Sequence, residues 1–317
     1  MHPAYSVILF TTASGAGYGL AFWLAILAVF DDLPTTPALG LAGFGIAFVL
    51  ISVGLLSSTA HLGRPERAWR AFSQWRTSWL SREGIAAIAT FVPFALYAYG
   101  WIVLGINSGL FFTLVAVLLS SLCLVTVWCT GMIYQSLPAI RAWNQSIVSP
   151  VYVAMSLSTG AVLTLCLLTA FGLDVEDFGW VTVTLLACTI LMKRVYWAFI
   201  DQKPEQPSTA GSATGLGRFG TVRPLEAPHT QANFVMREMG YGVGRKHADQ
   251  LRWLVQIVGF ALSAVLLVLM LTVGGIFSLP LAIAAMIALG FGVVVERWLF
   301  FAEAQHVVML YYGAQTS

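Results

Sequence analysis

Eight apolar runs, each about twenty residues long, follow one another along this chain, and the loops between them sort by charge. The sixteen Lys and Arg fall in the even-numbered loops or at the run ends that face them. The loop after the second run holds Arg64, Arg67, Arg70, Arg76 and Arg82, and the fourth loop holds Arg141. The sixth holds Lys203, Arg218, Arg223, Arg237, Arg245 and Lys246, flanked by Lys193, Arg194 and Arg252, and Arg297 sits near the end of the last run. The odd loops carry Asp31, Asp32, Asp174, Glu176 and Asp177, and no base. A run of this length crosses the hydrocarbon core as a helix, and cytoplasmic loops collect Lys and Arg. The pattern predicts an all-α polytopic membrane helix bundle of about eight transmembrane helices, with both termini and the basic face cytoplasmic.

Composition agrees. Of 317 residues, 58% are hydrophobic and 9% charged, far from the roughly one quarter charged of a soluble domain. A net charge of +2 gives no footing for nucleic acid. Cys123, Cys129, Cys166 and Cys188 lie inside apolar runs without a C-x-x-C pair, so they read as small hydrophobes and not as cluster ligands or a disulfide framework. The spans are expected at about 5–30, 38–60, 84–104, 110–134, 151–171, 178–200, 251–273 and 279–301. The first is too long, and lacks the basic start, for a cleaved signal peptide. Trp79, Trp101, Trp180, Trp197, Trp253 and Trp298 fall near span ends, where amphipathic rings favour the headgroup level. Gly15 and Gly19 have the small-xxx-small spacing of close helix contacts. The whole chain, 1–317, reads as one membrane domain. Its long cytoplasmic loop, 201–250, is Pro- and Gly-rich at first; a short amphipathic piece around Phe234, Val235, Met236 and Met239 follows. A loop of that length is either disordered or docks something, and docking of a cytoplasmic partner is the favoured reading.

The chemistry concentrates in the second loop. The stretch His61-Leu62-Gly63-Arg64-Pro65-Glu66-Arg67-Ala68-Trp69-Arg70 leads through Trp75, Arg76 and Trp79 to Ser81-Arg82-Glu83-Gly84. Taken singly, Glu83 fits a helix N-terminus, where the dipole favours a carboxylate, and His61 fits a helix-end cap. Together, ringed by Arg and Trp at membrane depth, they point to a polar pocket at the membrane edge. Such a pocket suits a quinone, whose tail stays in lipid and whose ring exchanges two protons and two electrons. An imidazole titrates near neutrality, and a partly desolvated carboxyl can act in the same range. Arg64 and Arg82 are expected to hydrogen-bond a ring carbonyl or balance Glu83. Glu296, Glu303 and His306 near the end of the last span either line a second wall or proton path, or form a paired, exposed helix end. None of His2, His61, His229, His247 and His306 lies mid-span, so neither a haem nor another metal site is expected in this chain.

The His61-Leu62-Gly63-Arg64-Pro65 pattern, with Arg67-Ala68 after it and Ser81-Arg82-Glu83 opening the next helix, resembles the DmsC family. These are membrane anchor subunits of dimethyl-sulfoxide-reductase-type molybdoenzymes. The long sixth loop and the tail Glu296-Arg297-Trp298-Leu299-Phe300-Phe301-Ala302-Glu303 look more like the SoeC branch, anchors of a cytoplasmic sulfite dehydrogenase. The resemblance implies a site in the bacterial inner membrane, and a quinone (ubiquinone or menaquinone) bound at His61 and Glu83. It also implies two partners: a molybdopterin catalytic subunit with Mo-bis-MGD and an iron–sulfur electron-transfer subunit. Docking then falls to Arg67, Arg70, Arg76, Arg237, Arg245 and Lys246, although basic residues beside a membrane also attract anionic lipid. Arg64 stands where the reductase branch more often has a small residue. The expected function is therefore a quinone-reactive anchor that passes electrons from sulfite oxidation to quinone. The alternatives are a quinol-oxidising anchor of an S-oxide reductase, and a non-redox anchor or transporter. Transporters break their helices around midplane charges, whereas these spans look almost uncharged in the middle.

Overall fold

The computed structural model describes residues 2–315 apart from Asp31, Asp32, His61, Gly63, 203–207, Ala227, Thr230, Ala232 and Tyr241. Among the described residues there are helices, turns and no strand. Eight helices among these residues are long and apolar enough to cross a membrane: α1 (Tyr5–Val29), α2 (Pro37–Thr59), α3 (Trp79–Leu104), α4 (Leu110–Gln135), α5 (Val148–Ala170), α6 (Glu176–Asp201), α7 (Ala248–Val273) and α8 (Ser278–Ala302). This is the polytopic bundle that the apolar runs predict. Helices satisfy every backbone group internally, which lipid demands.

Local chemistry sets the ends. Pro37 opens α2 at a position where its missing N–H costs nothing. The Ser78 hydroxyl accepts from the Ser81 N–H and starts α3 at Trp79, five residues before the expected start at Gly84. Glu83 therefore lies a full turn inside the helix and not at its N-terminus. Gly105, at φ 66°, closes α3 in the left-handed conformation.

α1 and α5 form the spine of the bundle; α2, α3 and α4 gather on one side and α6, α7 and α8 on the other. The spine is close-packed because Gly19 and Gly160 face each other, so that a Cβ on either would strike the other backbone. An added Cβ at Gly15 meets nothing; its carbonyl instead accepts from Ser156 Oγ at 2.6 Å. Gly259 and Gly292 make the matching approach of α7 to α8. Interhelical hydrogen bonds add to this: Trp23 Nε1 to Leu157 O (2.9 Å), Ser158 Oγ with Thr189 Oγ1 (2.7 Å), and Ser263 Oγ to Ala285 O (2.9 Å). Trp101 and Trp197 are core residues and not interfacial belts as their positions suggest. Trp101 is 0% exposed and packs edge-on to Phe44 and Tyr97.

α1 carries a π segment at Phe10–Ser14, and α3 and α7 carry others at Gly100–Leu104 and Val255–Ala261. Between α2 and α3 the chain forms a 3-10 helix, Pro65–Gln74, on the basic side. In the long loop the amphipathic piece is a helix over Phe234–Met239, capped by Asn233, whose amide also bonds the Tyr312 hydroxyl at 3.0 Å. The Glu238 carbonyl accepts from the His2 N–H at 2.7 Å, so this part of the loop rests on both chain ends.

Candidate functional site

Glu83 is 5% exposed, and its Oε1 has no hydrogen-bond partner among the described residues. No ion pair reaches it within that set either. A carboxyl held out of water without a partner needs an explanation. It lines a cavity of about 700 Å³ at the basic end of α2 and α3. α1 contributes Val7 and Phe10 to the wall; α2 contributes Leu55, Leu56, Ser58 and Thr59; α3 contributes Leu80, Gly84, Ala87 and Ile88. Ile133 and Tyr134 of α4 close the back, and Arg64, Arg67, Ala68, Ala71 and Phe72 form the roof. Leu56, Leu80 and Ile88 are among the lining residues exposed on the outside of the bundle, so the cavity opens sideways toward lipid. The arrangement is a mostly apolar chamber with one buried acid, Glu83, and two arginines, Arg64 and Arg67, among its roof residues.

The other expected site residues divide. His61 lies outside the described residues. Arg64 lines the cavity with Glu83. Arg82 does not. Its Nε and Nη2 donate to the Trp75 and Arg76 carbonyls at 2.8 and 2.7 Å, and it stacks on Trp79 at 4.3 Å, so it fastens the roof to α3. Arg67, expected at a docking face, is a roof residue, whereas Arg70 and Arg76 lie over the exposed rings of Trp69 and Trp75. Arg245 has a buried Nη1 with no partner among the described residues, and Arg245 and Lys246 end a short helix, Val243–Lys246. Arg237 lies in the last turn of the Phe234–Met239 helix.

Glu296, Glu303 and His306 do not line this cavity. The exposed helix end expected for them is not found. Glu296 is 0% exposed and pairs with Lys193 and with Arg297, whose Nε lies 3.2 Å from Oε2. Glu303 accepts from Arg252 at 2.8 Å, and Arg252 also holds Asp201. α8 ends at Ala302, so Glu303 and His306 share no helical face. His306 Nδ1 instead accepts from Val308 N–H and caps a 3-10 turn, Val307–Leu310, that replaces the expected continuation of the helix. The ionic cluster does meet the cavity indirectly. Tyr134 stacks on Tyr152 at 5.8 Å, and the Arg297 guanidinium lies 3.7 Å from the Tyr152 ring centre.

Lys193 and Tyr134 are the residues that sequence reasoning missed. Lys193 reads as a loop flank, yet it lies well inside α6, buried against Tyr196 at 3.8 Å. A cation that deep in an apolar helix is itself a signal for a buried partner. Tyr134 carries no sequence signal that separates it from other aromatic residues at span ends.

The model of the DMSO reductase anchor subunit (DmsC) family matches residues 1–313. The chain belongs to the DmsC family. It is a multi-pass membrane anchor subunit of that family. The C subunit of sulfite dehydrogenase from Allochromatium vinosum is similar to it, at 31% identity over 98% of this chain and 99% of that protein. The C component of anaerobic dimethyl sulfoxide reductase from Escherichia coli is 30% identical over 47% of this chain and 50% of its own length. DmsC proteins are anchor subunits of oxidoreductase complexes.

Proposed function

We propose that this chain is the quinone-reactive membrane anchor of a molybdopterin oxidoreductase in the bacterial inner membrane, passing electrons from sulfite oxidation to quinone. The observation that carries the reading is the buried Glu83 Oε1, without a hydrogen-bond partner among the described residues, in a lipid-facing cavity of about 700 Å³. A quinone supplies two-electron, two-proton carrier chemistry. An apolar chamber with few, well-placed polar groups is the usual form of a small-molecule site. Glu83 exchanges a proton at Oε1 with a ring oxygen, and Arg64 and Arg67 offer donors to a ring carbonyl from the roof. His61, assigned on residue type and sequence position, is the second proton-exchanging group. Electrons come from an iron–sulfur subunit that docks on the basic face, with the exposed Trp69–Arg70 and Trp75–Arg76 pairs of the roof as its contact, and a molybdopterin subunit beyond it. The sulfite direction is favoured because the similarity to the sulfite dehydrogenase relative spans nearly the whole of both proteins, and the similarity to the dimethyl sulfoxide reductase relative spans about half.

The test is sulfite-dependent quinone reduction in membranes that carry the assembled complex. Glu83→Gln and His61→Ala are each expected to lower quinone-coupled turnover by about a hundredfold. Sulfite oxidation by the same membranes with a water-soluble artificial acceptor stays unchanged. Full quinone-coupled turnover in both variants ends the proposal, and quinol-dependent dimethyl sulfoxide reduction in place of sulfite oxidation reverses its direction.

A further inference from the structure

A second cleft lies on the other side of α1, and the quinone reading does not use it. Its outer part is an apolar groove of about 220 Å³ near mid-membrane, with Leu50, Met286, Leu289 and Gly290 among its walls. Thr12, Ala16, Thr159 and Val293 also line a small inner chamber of about 20 Å³, so the two adjoin. Arg297 and Tyr152 line that inner end. Arg297 is 2% exposed. Its Nε faces Glu296, its Nη2 meets the Met155 sulfur at 2.7 Å, and its Nη1 has no partner among the described residues. The inner hydroxyls of Thr11, Ser14 and Thr159 donate to carbonyls of their own helices.

Charge and width select the occupant. Lys193 and Arg297 bring two cations to one carboxylate, Glu296, while Glu303 is held by Arg252. The inner end therefore favours an anion. At about 20 Å³ it admits a group the size of one water, too narrow for a quinone ring but wide enough for a carboxylate oxygen. We infer that this cleft binds a single-chain alkyl carboxylate, a free fatty acid, with its alkyl tail in the mid-membrane groove and its head on Arg297 Nη1. A guanidinium–carboxylate hydrogen bond away from water is among the strong ones.

The probe is a diazirine-bearing hexadecanoic acid, with the matching hexadecanol as control, photolysed with the full chain in lipid nanodiscs and mapped by peptide mass spectrometry. The acid is expected to label the groove segments 159–163 and 286–294, and the alcohol at least about tenfold less. Excess unlabelled hexadecanoic acid removes the label. A Cβ at Gly290 meets nothing within 4 Å, so Gly290→Leu is expected to fold, fill the groove and abolish labelling. Arg297→Met is expected to erase the preference for acid over alcohol. Equal labelling by acid and alcohol, a label that resists competition, undiminished labelling of Gly290→Leu, or adducts confined to the Glu83 cavity would each overturn the inference.

Discussion

Removing Glu296 isolates the contribution of the ionic cluster. The side chains of Lys193, Glu296 and Arg297 are 3%, 0% and 3% exposed, so water screens none of them. Glu296 touches both cations, Lys193 through Oε1 and Arg297 through Oε2. Glu296→Leu leaves two buried cations with no counter-charge between them, a change that costs about 3–5 kcal/mol in folded proteins. That is about two to four orders of magnitude in the ratio of folded to unfolded protein. Lys193→Met leaves Glu296 paired with Arg297, and a hydrogen bond to a charged group accounts for about 1.5–3 kcal/mol. The ranking follows: Glu296→Leu is more damaging than Lys193→Met, and adding Lys193→Met to Glu296→Leu recovers part of the loss. Unfolding of the purified chain from mild micelles by sodium dodecyl sulfate, followed by tryptophan fluorescence, measures all three. The reasoning is refuted if Glu296→Leu stays within about 1 kcal/mol of wild type, or if Lys193→Met costs more.

Two further outcomes are expected. Ala68→Trp, on the half-exposed roof of the Glu83 cavity, should raise KM for quinone about tenfold with little change in kcat, because bulk there removes binding and not chemistry; steady-state kinetics in membranes checks it. A cysteine placed at Ser212, in the long basic loop, should react with an impermeant maleimide only when the cytoplasmic face is open; labelling of intact cells reverses the sidedness expected from the charge pattern.

Much of the fold is legible because lipid leaves a polypeptide few options: apolar length alone marks the spans, and backbone satisfaction forces them into helices. What escapes is depth. Trp101 and Trp197 sit near span ends by number, yet they are packed inside, since hydropathy says nothing of which face a residue presents. Lys193 reads as a loop flank for the same reason, and spans that read as almost free of interior charge contain a buried ionic cluster. The site is half legible. Glu83 stands out by its company of Arg and Trp, but its distance into α3 depends on the Ser78 cap, which pattern reading places outside the helix. Arg82 is misjudged because carbonyls presented by a turn leave no trace in residue spacing.

The wide turn at Phe10–Ser14 has an angular consequence. A π turn amounts to one surplus residue, and each residue in a helix advances the azimuth by about 100°. Val7 and Phe10 precede or open that surplus and look one way; Thr11, Thr12 and Ser14 belong to it and look the other. A single rod thus serves as the party wall of two compartments. Wind the same residues as a regular α-helix and the N-terminal stub would swivel by about 100°, carrying Val7 away from the acid's chamber; remove one residue at the wide turn and it becomes regular while both flanks stay in phase.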